Sequence, residues 1–280
     1  MKIALITMIE SNEKCTNDDM GIDFEFQRHY EDEAILCFQS WRKNAGDLKD
    51  IPIYTYCPTQ NVISGETKKK LEELNVTYIE KYHEVTQSFS SGFVNVPFCG
   101  MILEDELEED IFIHIDLDMN LIKPIRPDLI REVYEKGHVL VGKYDDVSKL
   151  DQRFLGDDWD NPLDTGFIIS RRDSGFYKYF YEELMKLHET NGDERWKKYC
   201  QNVREYFLEE YVIDRAYNEK AFPIETIEYY QVGEGYASVD TFPEDKLGDI
   251  YFWHEHLYPS SKYDKVREKI AYFKRMKGHS

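Results

Sequence analysis

The chain has 280 residues, 41% hydrophobic and 15% aromatic, so it is long and apolar enough to bury a real core and is not a disordered segment. A formal charge of −20 and a pI near 4.8 exclude non-specific DNA or RNA binding, which runs on phosphate neutralisation by basic side chains; an acidic protein that handles phosphates usually needs a cation. Five scattered cysteines (Cys15, Cys37, Cys57, Cys99, Cys200) with no C-x-x-C pair argue against a zinc site and a disulfide framework.

Lys2 to Ile9 is an unbroken apolar run that predicts a first, buried strand; Glu10 and Glu13 follow too soon, with no small-residue cleavage site, for a signal peptide. No stretch approaches the ~20 apolar residues of a membrane span, so a cytoplasmic protein is expected. A polar loop to Gly21 precedes Tyr30, Ala34, Phe38 and Trp41, whose helical spacing predicts a helix ending before Gly46. Ile51 to Tyr56 reads as a strand closed by Pro58, Ser64 to Leu74 as a charged helix with Leu71 and Leu74 inward, and Val76 to Tyr82 as a third strand. This alternation implies an α/β fold: a mostly parallel central sheet with helices on both faces.

Residues 93–106 predict a short helix with Pro97 near its first turn, leading into an Ile111 to Ile115 strand. His138 to Gly142 is another strand, 144–163 an acidic loop with Gly and Pro, and Gly166 to Ser170 a further strand. Helices follow over Phe176 to Leu187 and Val203 to Asn218, and the chain closes with an apolar segment, Ile250 to Trp253, and His254-Glu255-His256. No repeat and no composition shift divides it, so one domain over residues 1–258 is expected. Residues 259–280 form a basic tail, either a solvated terminal helix or a segment that docks peripherally on an anionic membrane surface.

The strand at 111–115 delivers Asp116 and Asp118. Residues i and i+2 of a strand share a side, so strand geometry persisting to the tip would make the two carboxylates converge. Two such groups repel unless a cation sits between them, and oxygen ligands suit Mn2+ or Mg2+. Open α/β sheets bind ligands at the carboxyl ends of their strands, which makes Thr7, Tyr54 and Tyr56 candidates for ligand contacts, or else core residues. His114, inside the apolar run, reads as a satisfied core histidine.

The segment IFIHIDLDMNLIKPI, residues 111–125, resembles the strand and DxD motif of metal-dependent glycosyltransferases of the GT-A fold. Three other pieces occur in the order that superfamily uses: Asp164-Thr165-Gly166 with its following apolar run, Glu209-Glu210-Tyr211-Val212-Ile213-Asp214, and Trp253-His254-Glu255-His256. The resemblance covers roughly residues 1–258. It implies transfer of a sugar from a nucleoside-diphosphate donor, a UDP- or GDP-sugar, to a glycan or other hydroxyl acceptor, with no nucleic-acid partner. It implies Asp118 as a direct metal ligand, Asp116 on the metal, its bound water or the ribose, and His254 or His256 completing the metal shell. It further implies donor-sugar contacts from Asp164, Thr165 and Gly166, and a base or sugar contact from Glu209, Glu210 or Asp214. Glu210 and Asp214 are four apart and so share a helix face, which otherwise reads as an exposed charged face.

The helix and Asp-Thr-Gly elements lean toward retaining groups, similar to glycogenin and the lipopolysaccharide galactosyltransferases. The late His-Glu-His departs from the His-x-x-Gly-x-x-Lys those groups favour. Two readings from other classes stand beside this one. A haloacid-dehalogenase-type phosphatase also carries Asp-x-Asp, but normally on its first strand and with Thr or Val where this chain has Asn120. A non-catalytic nucleotide-sugar or glycan-binding module would not need the acids and the late histidine.

Overall fold

The computed structural model describes residues 1–11, 30–83, 95–143, 163–189, 208–227, 231–233 and 251–254. Among them, a seven-stranded sheet is built from β1 (Ile3–Met8), β2 (Ile53–Cys57), β3 (Val76–Glu80), β4 (Ile111–Ile115), β6 (Val139–Lys143), β7 (Leu163–Arg171) and β8 (Ile224–Ile227). Its order is β3-β2-β1-β4-β7-β6-β8. All neighbours pair parallel except β7, which runs antiparallel to both β4 and β6. A small second sheet sets β10 (Phe252–His254) between β5 (Met119–Leu121) and β9 (Gln231–Gly233).

The strands read as continuous apolar runs because both faces of the sheet are covered. Ala4, Ile6, Phe112 and Ile168 pack with α3 (Asn95–Glu106), α5 (Phe176–Glu189) and α6 (Leu208–Asn218). Leu5, Ile111, Ile113, Ile115, Phe167 and Ile169 pack on the other side with α1 (Tyr30–Asn44), α2 (Gly65–Glu73) and α4 (Pro127–Lys136). The period-2 alternation of the strands thus divides one sheet between two apolar layers.

Local chemistry sets the helix ends. Ser64 caps α2 by accepting from Thr67 N at 3.1 Å, and the buried Glu31 carboxylate accepts from Ser64 N at 3.1 Å and Ser64 Oγ at 2.6 Å, tying α1 to α2. Arg42 of α1 donates to the carbonyls of Ile51 and Leu74, 2.9 Å each, which fixes the entry to β2 against the end of α2.

Several expectations need correction. Strand geometry does not persist to Asp118: β4 ends at Ile115, and Met119 N donates to Asp116 O at 3.1 Å, closing a turn that starts β5. The strand expected to begin at Gly166 begins at Leu163, so Asp164-Thr165-Gly166 lies inside β7. Helix α4 was not expected; Pro127 opens it at the first turn, where its missing N–H costs nothing, and Gly137 closes it with φ 72°. The acidic loop 144–162, the helix start at 203–207, Cys15, Cys200, His256 and the basic tail lie outside the described residues. No helix among the described residues is long and apolar enough to cross a membrane.

Candidate functional site

Strand order reverses between β1 and β4, since β2 and β3 lie to one side of β1 and β4 to the other. That crevice is where open α/β sheets hold ligands, at the carboxyl ends of the strands. The chain leaves β1 there through Ile9 and Glu10, and leaves β4 there through Asp116.

Asp116 is held by its backbone on two sides: its N–H donates to Gly166 O at 3.0 Å, and its carbonyl accepts from Met119 N. Its side chain is 36% exposed, whereas Asp118 is buried at 5%. Oδ1 of Asp116 faces His114 Nε2 at 3.4 Å.

The partner strand brings a third acid. β7 pairs Ile169 with Leu140 and Ile168 with Val141, then jumps to Asp164 opposite Gly142, leaving Thr165, Gly166 and Phe167 as a bulge against β6. The same stretch stays in register with β4 through Phe167 and Ile115. Bulges re-aim side chains, and here Asp164 folds back so that its Oδ1 accepts from Gly166 N at 2.7 Å. A Cβ built on Gly166 would stand 3.0 Å from Asp116 Oδ2, 3.0 Å from Asp164 Oδ1 and 3.2 Å from Met119 Sδ. The two carboxylate oxygens therefore converge on one point, no more than 6.0 Å apart.

The late histidine segment reaches the same place through the backbone. β10 pairs antiparallel with β5, setting His254 directly opposite Met119, the residue after Asp118. Ile122 N donates to Tyr251 O at 2.7 Å and clamps the two segments together. Asp116, Asp118, Asp164, Thr165, Gly166 and the His254 register position are thus gathered at one end of the sheet. Among the described residues, no group of three or more His, Cys, Asp and Glu side chains forms a ready-made metal cluster. The donor set that is in place is all-oxygen, which fits a hard divalent cation better than zinc.

Other expected residues fall elsewhere. Glu209 and Asp214 are buried in α6 at 2% and 1%, and Glu210 is half-buried, so this is not an exposed charged face. Asp214 Oδ1 accepts from Leu163 N at 2.7 Å and anchors the start of β7. Thr7 is buried inside the sheet, opposite Thr55. Tyr54 donates to Glu109 Oε1 at 3.1 Å, just before the amino end of β4 and so away from Asp116. The Tyr56 hydroxyl sits between Lys81 O at 3.3 Å and His83 Nε2 at 2.7 Å, at the end of β3, and burial pushes its phenol up.

Two residues at the crevice were missed as site candidates. Burial pushes the Glu10 carboxyl up, opposed by hydrogen bonds with Thr59 and Asn61. Its signal was its position, the first acid after the first strand. The other is His114, which is buried as expected but whose Nε2 has no hydrogen-bond partner among the described residues. Compared with known proteins, the chain matches no family model and no curated sequence. Fold and site together define an α/β protein with an acidic site at the reversal point of a mostly parallel sheet.

Proposed function

We propose that this protein is a GT-A-type glycosyltransferase that moves a sugar from a nucleoside-diphosphate donor to a glycan or other hydroxyl acceptor, with Mn2+ or Mg2+. The observation that carries the reading is the convergence of Asp116 Oδ2 and Asp164 Oδ1 beside Gly166, at the carboxyl edge between β1 and β4. The diphosphate of a nucleotide-sugar is already doubly anionic and gains further negative charge as it leaves, and this acidic edge repels it without a cation. A divalent cation bound there supplies Lewis-acid stabilisation of the charge that develops as the glycosidic bond breaks.

The roles follow from position. Asp118, buried and one residue before Met119, is the first metal ligand, Asp116 the second, and His254 or His256 the late one. Asp164, Thr165 and Gly166 border the cation and line the place of the donor sugar. Glu210, the half-buried acid of α6, is the candidate to contact the sugar or take a proton, whereas the Asp214 carboxylate already holds Leu163 N–H in place. Glycosyl transfer with retention is the form favoured by the resemblance of these elements to glycogenin-like enzymes.

The test is a thermal-shift panel of UDP-, GDP-, CMP- and TDP-sugars with and without manganese. A rise in melting temperature that one donor class produces only with the metal supports the reading. No shift with any donor contradicts it and favours the phosphatase, which would release inorganic phosphate from sugar phosphates.

A further inference from the structure

We propose that His114 is a positioning residue, which holds the Asp116 carboxylate so that Oδ2 aims at the point it shares with Asp164. The consequence for metal binding rests on the function proposed above; the contact itself does not.

A histidine in the middle of a five-residue buried strand needs a reason, because taking an imidazole out of water costs free energy unless its nitrogens are hydrogen-bonded. His114 is 2% exposed, and its Nε2 has no hydrogen-bond partner among the described residues. Asp116 Oδ1 lies 3.4 Å from this nitrogen. Within β4, His114 shares the face on which Phe112 packs against α3, α5 and α6, and Asp116 follows two residues on, just past the end of the strand.

The geometry at Asp116 leaves one freedom to control. Its N–H and C=O are both bonded, so the backbone is fixed and only the side-chain torsions remain. Oδ1 lies toward His114 and Oδ2 toward Gly166, so the approach of the ring to Oδ1 limits the rotation that sets Oδ2. Ligating carboxylates and histidines characteristically carry such outer hydrogen bonds, and losing one costs about 10–100-fold in metal affinity or activity.

Register sets Ser170 of β7 opposite Phe112 and Ile168 opposite His114. Ser170, Tyr177 and Glu104 put further buried polar atoms in the same α3, α5 and sheet layer as His114. The Tyr177 hydroxyl lies in the fields of both Glu104 and Asp116, which links that layer to the site. An all-apolar layer would leave Asp116 free to swing toward solvent.

Two measurements on the full chain test this. In the first, the ring nitrogens of 15N-labelled His114 are followed by NMR without metal. The Nε2 signal is expected to move on Asp116→Asn and to stay in place on Asp118→Asn; no movement with Asp116→Asn overturns the contact. In the second, manganese affinity is measured by EPR for His114→Leu and His114→Gln, with melting temperatures as the folding control. His114→Leu is expected to bind ~10–100-fold more weakly, and His114→Gln, whose amide can donate to Oδ1, to recover most of that loss. Equal affinity in His114→Leu, or no recovery in His114→Gln, overturns the positioning role. A wild-type chain that binds no manganese overturns the metal reading instead, and the NMR arm, which needs no metal, then decides the His114 contact alone. If His114→Leu fails to fold, His114→Gln and the NMR arm still decide it.

Discussion

Asp116 and Asp164, 48 residues apart in sequence, present one carboxylate oxygen each at 3.0 Å from the position a Cβ on Gly166 would occupy. Gly166 is the residue that lets both approach, and its lack of a side chain is the requirement. Gly166→Ala inserts a methyl group where the two oxygens meet. Manganese affinity is expected to fall by at least about tenfold, since the added methyl displaces both candidate ligands from their shared point, and the melting temperature falls as well, because Asp164 is buried and its hydrogen bond with Gly166 N is disturbed. Calorimetric titration with manganese beside a melting curve checks both halves.

Gly100 makes a similar demand deeper in the protein. A Cβ there would fall inside the Tyr177 ring, which packs against α3 from α5. The ring is wholly buried and cannot retreat. Gly100→Ala is therefore expected to destabilise by about 1–3 kcal/mol through overpacking, read as a lower urea midpoint with an unchanged slope.

Glu104, on the same helix, sets a pH dependence. Burial pushes its carboxyl from 4.5 up to about 8, although backbone N–H groups of Tyr177 and Lys178 favour the ionised form. Below about pH 4.5 the group is protonated whether the chain is folded or not. Between there and about 8 the unfolded chain ionises while the folded one keeps its proton, so stability falls as pH rises through this window, by a few kcal/mol at most. Glu104→Gln keeps an acceptor for the two N–H groups and removes the ionisation. The drop in melting temperature between pH 5 and pH 9 should be smaller in this variant than in the wild type; an equal drop would assign it to other groups.

Much of this was readable from the sequence because the strands are buried on both faces and so appear as uninterrupted Ile, Leu, Val and Phe runs. Residues 3–8 and 111–115 were legible for that reason, as was α1 from the spacing of Ala34, Phe38 and Trp41. The site was legible only in part. Asp116 and Asp118 stand out after a strand of four apolar residues and His114, but their expected convergence relied on strand geometry that the turn to Met119 ends. Asp164 approaches Asp116 through the antiparallel pairing of β7 with β4, which no local pattern encodes. The pairing of His254 with Met119 joins residues 135 apart, which no local pattern encodes. Tyr54 was misplaced toward the site because strand membership fixes a side chain's face but not which end of the sheet its hydroxyl reaches. Helix α4 was hidden by its own Pro127, which reads as a breaker and serves as a first-turn residue.

The most direct measurement of the central claim is manganese-dependent hydrolysis or transfer of a nucleotide-sugar by the wild type beside Asp118→Ala. The account predicts turnover of one donor class that stops on chelation, returns with manganese, and is lost by ~100-fold or more in a folded Asp118→Ala variant, the scale of removing a group that stabilises the leaving charge. Full activity in Asp118→Ala, or turnover indifferent to chelation, would contradict it.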